Sequence, residues 1–167
     1  MRSAAEAGSL RLLSAGLAAA LTIAVALVSP GQTGGGALLL LTSAQLSASI
    51  GRLGADGLIH SLAAKKTQPV GSVVSNARSI ATVGTIVFAG LASLLLLPGE
   101  NLVARLLLVP AAVTTAWVMV RADFLFVTQR PVGAVFYQAL VFPASALAGL
   151  LAHLAASRPG ELGEWML

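Results

Sequence analysis

At 167 residues the chain has the length of one ordinary soluble domain, and it reads as a single domain over 1–167. Its composition excludes solubility: 57% of residues are hydrophobic, 10% are charged and the mean hydropathy is +0.90. A soluble domain carries about 25% charged residues, so an enzyme of the usual soluble kind, a disordered tail and a nucleic-acid-binding module are all set aside. The pI near 10.8 rests on a net charge of only +4, so the placement of the charges carries the information. With no cysteine, disulfides and thiol chemistry are excluded, and His60 and His153 are too far apart in sequence to suggest a metal cluster.

Charged residues cut the chain into long apolar runs. The first, Leu12 to Gly51, carries no formal charge. As one helix rising ~1.5 Å per residue it would be about twice the ~30 Å hydrocarbon thickness. Its middle reads Ser29-Pro30-Gly31-Gln32-Thr33-Gly34-Gly35-Gly36, a poor helical sequence. Two spans, 10–29 and 37–58, joined by an outer turn, are therefore expected. Pro30 stands where a signal peptide would need a small-residue cleavage site, so the first span reads as a retained anchor.

The run Ser79 to Gly99 predicts a helix over 79–98, ended by Pro98-Gly99-Glu100-Asn101. The next, 102–121, reaches spanning length with Arg105 snorkelling at one end and Pro110 kinking it. Pro131 to Ser157 predicts the last, 133–156, with Pro143 inside. The expected fold class is all-α: a polytopic integral membrane helix bundle with about five transmembrane helices.

Basic residues in short loops set orientation. One side collects Arg2, Arg11, Arg52, Lys65, Lys66, Arg78, Arg121 and Arg130, and the other only Arg105 and Arg158. The N-terminus is therefore expected in the cytoplasm and the tail from Ser157 outside, in the plasma (bacterial inner) membrane. Trp117 and Trp165 fall where interfacial aromatics belong. Lys65 and Lys66 would favour anionic headgroups, although topology alone also explains them.

The second helix carries Gln45, Ser49, Arg52, Asp56 and His60 at i+3/i+4 spacing, which puts them on one stripe. Unpaired polar groups are costly in hydrocarbon, so the stripe should face protein or water. Arg52 and Asp56 can pair one turn apart. Two readings stay open. The helix emerges into the interface with Arg52 as a topology anchor, or Arg52, Asp56 and Gln45 line a hydrated cavity for an anionic substrate. Tyr137 and Gln138 are further polar groups near the start of the last helix. The alanines at 18–20, Gly84, Gly90, and Ala144, Ala146, Ala148 and Gly149 permit close helix approach. No paired-carboxylate site, HExxH or P-loop occurs, and Asp56 and Asp123 show no acid–base spacing, so no enzyme and no cofactor are expected.

The order of parts then becomes informative. A basic start and first span lead through the Pro/Gly turn into the run Leu41 to Ala64, which contains Leu53-Gly54-Ala55-Asp56 and Ile59. This resembles the N-terminal part of polysaccharide (O-antigen or teichoic-acid type) flippases, of the multidrug/oligosaccharidyl-lipid/polysaccharide exporter superfamily. There the second helix ends in Leu-Gly-x-Asp-x-x-Leu-x-Arg-x-x-Ala; here His60 or Ser61 stands where a basic residue is common. The segment Thr128-Gln129-Arg130-Pro131 to Pro143, with Gln138 early in an apolar stretch, is similar to that family's approach to its fifth helix. The resemblance, over about 8–156, implies an inner-membrane transporter of lipid-linked oligosaccharide, with Arg52, Asp56 and Gln45 lining a cationic cavity. It implies membrane lipids and a lipid-linked saccharide as partners, and no nucleic acid. Two lobes of about six helices are the family's plan, so five spans imply a truncated product, or a second polypeptide or homo-oligomer that completes the bundle. The alternative is a small non-transporting subunit or scaffold of a larger membrane complex.

Because the chain has no cysteine, single cysteines introduced at 31–36 and at 62–70 give a clean topology test. Labelling from opposite faces of the membrane is expected, and labelling of both segments from the same face contradicts the predicted arrangement.

Overall fold

The computed structural model describes residues 2–28, 32–65, 70–95, 102–128, 131–139, 141, 144–146 and 148–149. Among these residues the structure is all-helical, with no strand. Six helices follow in chain order: α1 (Arg2–Val28), α2 (Gln32–Gly51), α3 (Leu53–Lys65), α4 (Val70–Leu95), α5 (Leu102–Val127) and α6 (Pro131–Ala139). Helices α2, α4 and α5 pack on one another, α3 continues against α4 and α5, and α1 and α6 lie side by side at the flank.

Several helix boundaries differ from those read off the charges. The second helix begins at Gln32 and takes in Thr33 and the three glycines, rather than starting at 37. Glycine costs ~1 kcal/mol relative to alanine in a helix interior, but the apolar run behind it supports the helix through its first turns. Helix α4 starts at Val70, not 79, and α5 runs to Val127, not 121. Arg78 and Arg121 therefore sit inside helices, because a long basic side chain need not end a helix to reach a polar surface. Helix α5 is one element through Pro110. Proline withholds the donor that the Leu106 carbonyl would receive, and just beyond it the Thr114 hydroxyl donates to the Pro110 carbonyl at 3.0 Å. The last expected span, 133–156, begins at Pro131, the helix position where proline is best tolerated. Its far end, the connections over 29–31, 66–69 and 96–101, and the tail with Trp165 lie outside the described residues.

The interior is built from small side chains. Ala44, Ala89, Ala104 and Ala112 pack with Leu40 and Leu108 in one cluster, and Ala48, Ala55, Ala77, Ala81 and Ala116 pack with Ile59 and Val120 in another. Many other large apolar residues point outward: Ile23, Leu27, Val83, Leu94, Leu95, Leu102 and Leu106 are all exposed. Helices Gly71–Leu95 and Leu102–Phe126 are long and apolar enough to cross a membrane, and only 17% of the most apolar window of the first is buried in the protein.

The closest approach is between α2 and α4. A Cβ on Gly51 would lie 2.4 Å from the Thr85 backbone nitrogen, and one on Gly84 would lie 2.3 Å from the Gly51 carbonyl oxygen. Backbone meets backbone here, so neither position has room for a side chain. Gly84→Ala or Gly51→Ala should therefore destabilise the bundle by about 1–3 kcal/mol or more. Gly90→Ala, whose Cβ meets nothing within 4 Å, should instead stabilise by roughly 0.5–1 kcal/mol. Thermal unfolding in detergent measures both, and equal responses at Gly84 and Gly90 would contradict the close crossing.

Candidate functional site

The glycine crossing determines where the next residue goes. Arg52 is the single residue between α2 and α3. Its N–H donates to the Ala48 carbonyl at 3.2 Å, and its own carbonyl accepts from the Ala55 N–H at 2.8 Å and the Asp56 N–H at 3.2 Å. The turn is thus tightened for one residue while the backbone ladder continues, and no backbone group has to be left bare. The joint sits beside α5 and leaves the Arg52 side chain between two carboxylates.

Arg52 Nη1 donates to Asp56 Oδ1 at 3.0 Å and also to Asp123 Oδ2 on α5. The three side chains are 19%, 28% and 13% exposed, so the cluster is half-buried rather than solvated. Such charge-assisted bonds are stronger than neutral ones, and this pair fastens the α2–α3 joint to α5. Arg52 Nε is buried with no acceptor among the described residues, and so is the Thr85 hydroxyl beside the crossing.

The structure brings Arg52 and Asp56 together as their spacing requires. Gln45, expected on the same stripe, lies about 10 Å further along α2, is exposed and stays outside the cluster. His60 belongs to α3, but its side chain, like that of Gln138, lies outside the described set. Tyr137 packs edge-on against Phe136, with ring centroids 5.8 Å apart. Sequence reasoning missed Asp123 because it is remote in sequence from Arg52. The available signal was charge economy: a carboxylate near the end of an apolar helix needs a cation, and Arg52 lies at the end of another helix on the same predicted side.

A second polar region lies between α4 and α5. Arg78 stands over the Trp117 ring at 5.9 Å, and the indole N–H donates to Thr82 Oγ1 at 2.9 Å. Arg121 stands over the Phe124 ring at 6.0 Å. Arg78, Thr82, Trp117 and Arg121 line an open groove of about 560 Å³. Towards the other end of the same helix pair, Arg105 Nε donates to Ser93 Oγ at 3.3 Å. Among the described residues, no group of three or more His, Cys, Asp or Glu side chains has the arrangement of a metal site.

A double-mutant cycle tests the cluster. Asp123→Asn and Arg52→Met should each cost about 1–3 kcal/mol, the range for hydrogen bonds to charged groups. The double variant should cost clearly less than their sum, with a coupling of roughly 0.5–3 kcal/mol; strictly additive losses would contradict the contact. Comparison with known proteins finds no matching family model, no similar curated protein and no similar solved structure.

Proposed function

We propose that the chain is an integral membrane protein that crosses the bilayer five times, with its N-terminus in the cytoplasm. We further propose that it forms part of a flippase for lipid-linked oligosaccharide or polysaccharide precursors. The membrane reading is supported by the packing, in which alanine makes up much of the interior while many large apolar side chains are exposed. It is also supported by the charge spacing on α5, where Arg105 and Arg121 bracket an uncharged stretch of about 24 Å. That length suits a ~30 Å hydrocarbon core once both side chains reach towards its surfaces.

The transport reading is carried by one observation, the half-buried Arg52–Asp56–Asp123 cluster at the joint between α2 and α3. Charged groups inside an apolar bundle are costly and are a recurrent feature of transport pathways. The family resemblance of the segment around Leu53, Gly54 and Asp56 points the same way. On this reading these residues form part of one lobe of the pathway.

One observation favours a second reading, a non-transporting subunit or scaffold. Arg52 is engaged by two carboxylates of its own chain, which serves architecture as well as it serves a cavity. Export in a strain that depends on this gene separates the two. Replacing Arg52 and Asp56 with alanine, at unchanged protein level in the membrane fraction, should abolish saccharide export. Full export in the deletion strain, together with co-purification of a stable membrane partner, would establish the scaffold reading instead.

A further inference from the structure

We infer that the groove between α4 and α5 is a recognition site for a phosphate group, held at headgroup level and fitted to an anionic phospholipid. Two arginines line it, Arg78 on α4 and Arg121 on α5. Among the described residues neither is paired with a carboxylate, in contrast to Arg52, whose charge is taken up by Asp56 and Asp123. Each guanidinium presents five N–H donors in a planar fork that matches phosphate oxygens.

The arginines are positioned rather than loose. Arg78 lies over Trp117, and the indole is held in turn by its bond to Thr82, so one arginine is oriented by a chain of contacts running from α4 to α5 and back. Arg121 follows Trp117 by one turn on α5 and rests over Phe124. Stacking leaves the edges of a guanidinium available for hydrogen bonding. The groove is roomy enough for a glycerophosphate headgroup, and Gly71 leaves it open, since a Cβ there would meet nothing within 4 Å. Val83 continues the lining on the apolar side, next to the exposed face of α4 along which an acyl chain can lie. A basic pocket between helices at the cytoplasmic end of a bundle is suited to acidic lipid headgroups. The site requires the membrane reading but not saccharide transport, and a binding measurement tests it without any export assay.

Trp117 is itself the reporter. Full-length protein carrying Trp165→Phe, which leaves one of the two tryptophans, is placed in phosphatidylcholine nanodiscs with increasing phosphatidylglycerol. Trp117 emission should change saturably. Arg78→Gln with Arg121→Gln should weaken the response at least about tenfold, and the paired lysine variants should recover part of it. Gly71→Leu, which fills the groove without touching a charge, should produce a comparable loss. A response to inorganic phosphate in pure phosphatidylcholine discs would assign the same site to a free phosphate compound instead of a headgroup. No saturable response to either probe would overturn the proposal. So would a response left intact by both the glutamine pair and Gly71→Leu, or one lost equally in Lys65→Gln with Lys66→Gln, which would mark bulk charge attraction.

Discussion

The backbone contact between Gly51 and Gly84 is the constraint on which the rest of the bundle depends. With no Cβ on either residue, α2 and α4 approach until the Gly51 carbonyl occupies the space a side chain at 84 would need. The alanines flanking the crossing fall into two clusters, with Ala44 and Ala89 in one and Ala55, Ala77 and Ala81 in the other. The crossing determines the position of Arg52. One residue past the crossing, its side chain is delivered to Asp123 on α5, so a packing constraint between two helices becomes an electrostatic tie to a third. Small residues at such a crossing let two backbones approach closely, so van der Waals contact and polar ties can hold the helices together.

The structure uses its arginines in different ways. Arg52 is half-buried and bonded to carboxylates on two elements. Arg105 reaches Ser93 near the far end of the α4–α5 pair. Arg78 and Arg121 are exposed, lie over aromatic rings and line an open groove. A net charge of +4 is therefore not a uniform property of the surface; part of the positive charge is consumed in holding helices together and part is displayed.

Much of the helical organisation was legible in the sequence, because long uncharged apolar runs interrupted by charges, proline and glycine mark where helices can form. The Arg52–Asp56 pair was legible too, since helical geometry places residues four apart on one face. Helix ends were less legible. Arg78 and Arg121 were read as boundaries, yet helices extend past both because their stems can run along apolar surface before the charge is exposed. Gly34, Gly35 and Gly36 misled in the same direction, since α2 takes all three in despite their poor local propensity. Asp123 was invisible to any local pattern: its partner lies 71 residues away and is brought to it by the crossing. Gly84 was recognised as a small residue suited to packing, but only the structure distinguishes it from Gly90, which faces open space.

The crossing and its register can be measured directly in a chain that contains no native cysteine. Cysteines introduced at Ala44 and Ala89, two members of one buried cluster, should form an intramolecular disulfide on mild oxidation in native membranes. Cysteines at Ala44 and Ala81, which belong to different clusters, should not. Efficient crosslinking of Ala44 with Ala81 and none with Ala89 would contradict the register, and with it the delivery of Arg52 to Asp123.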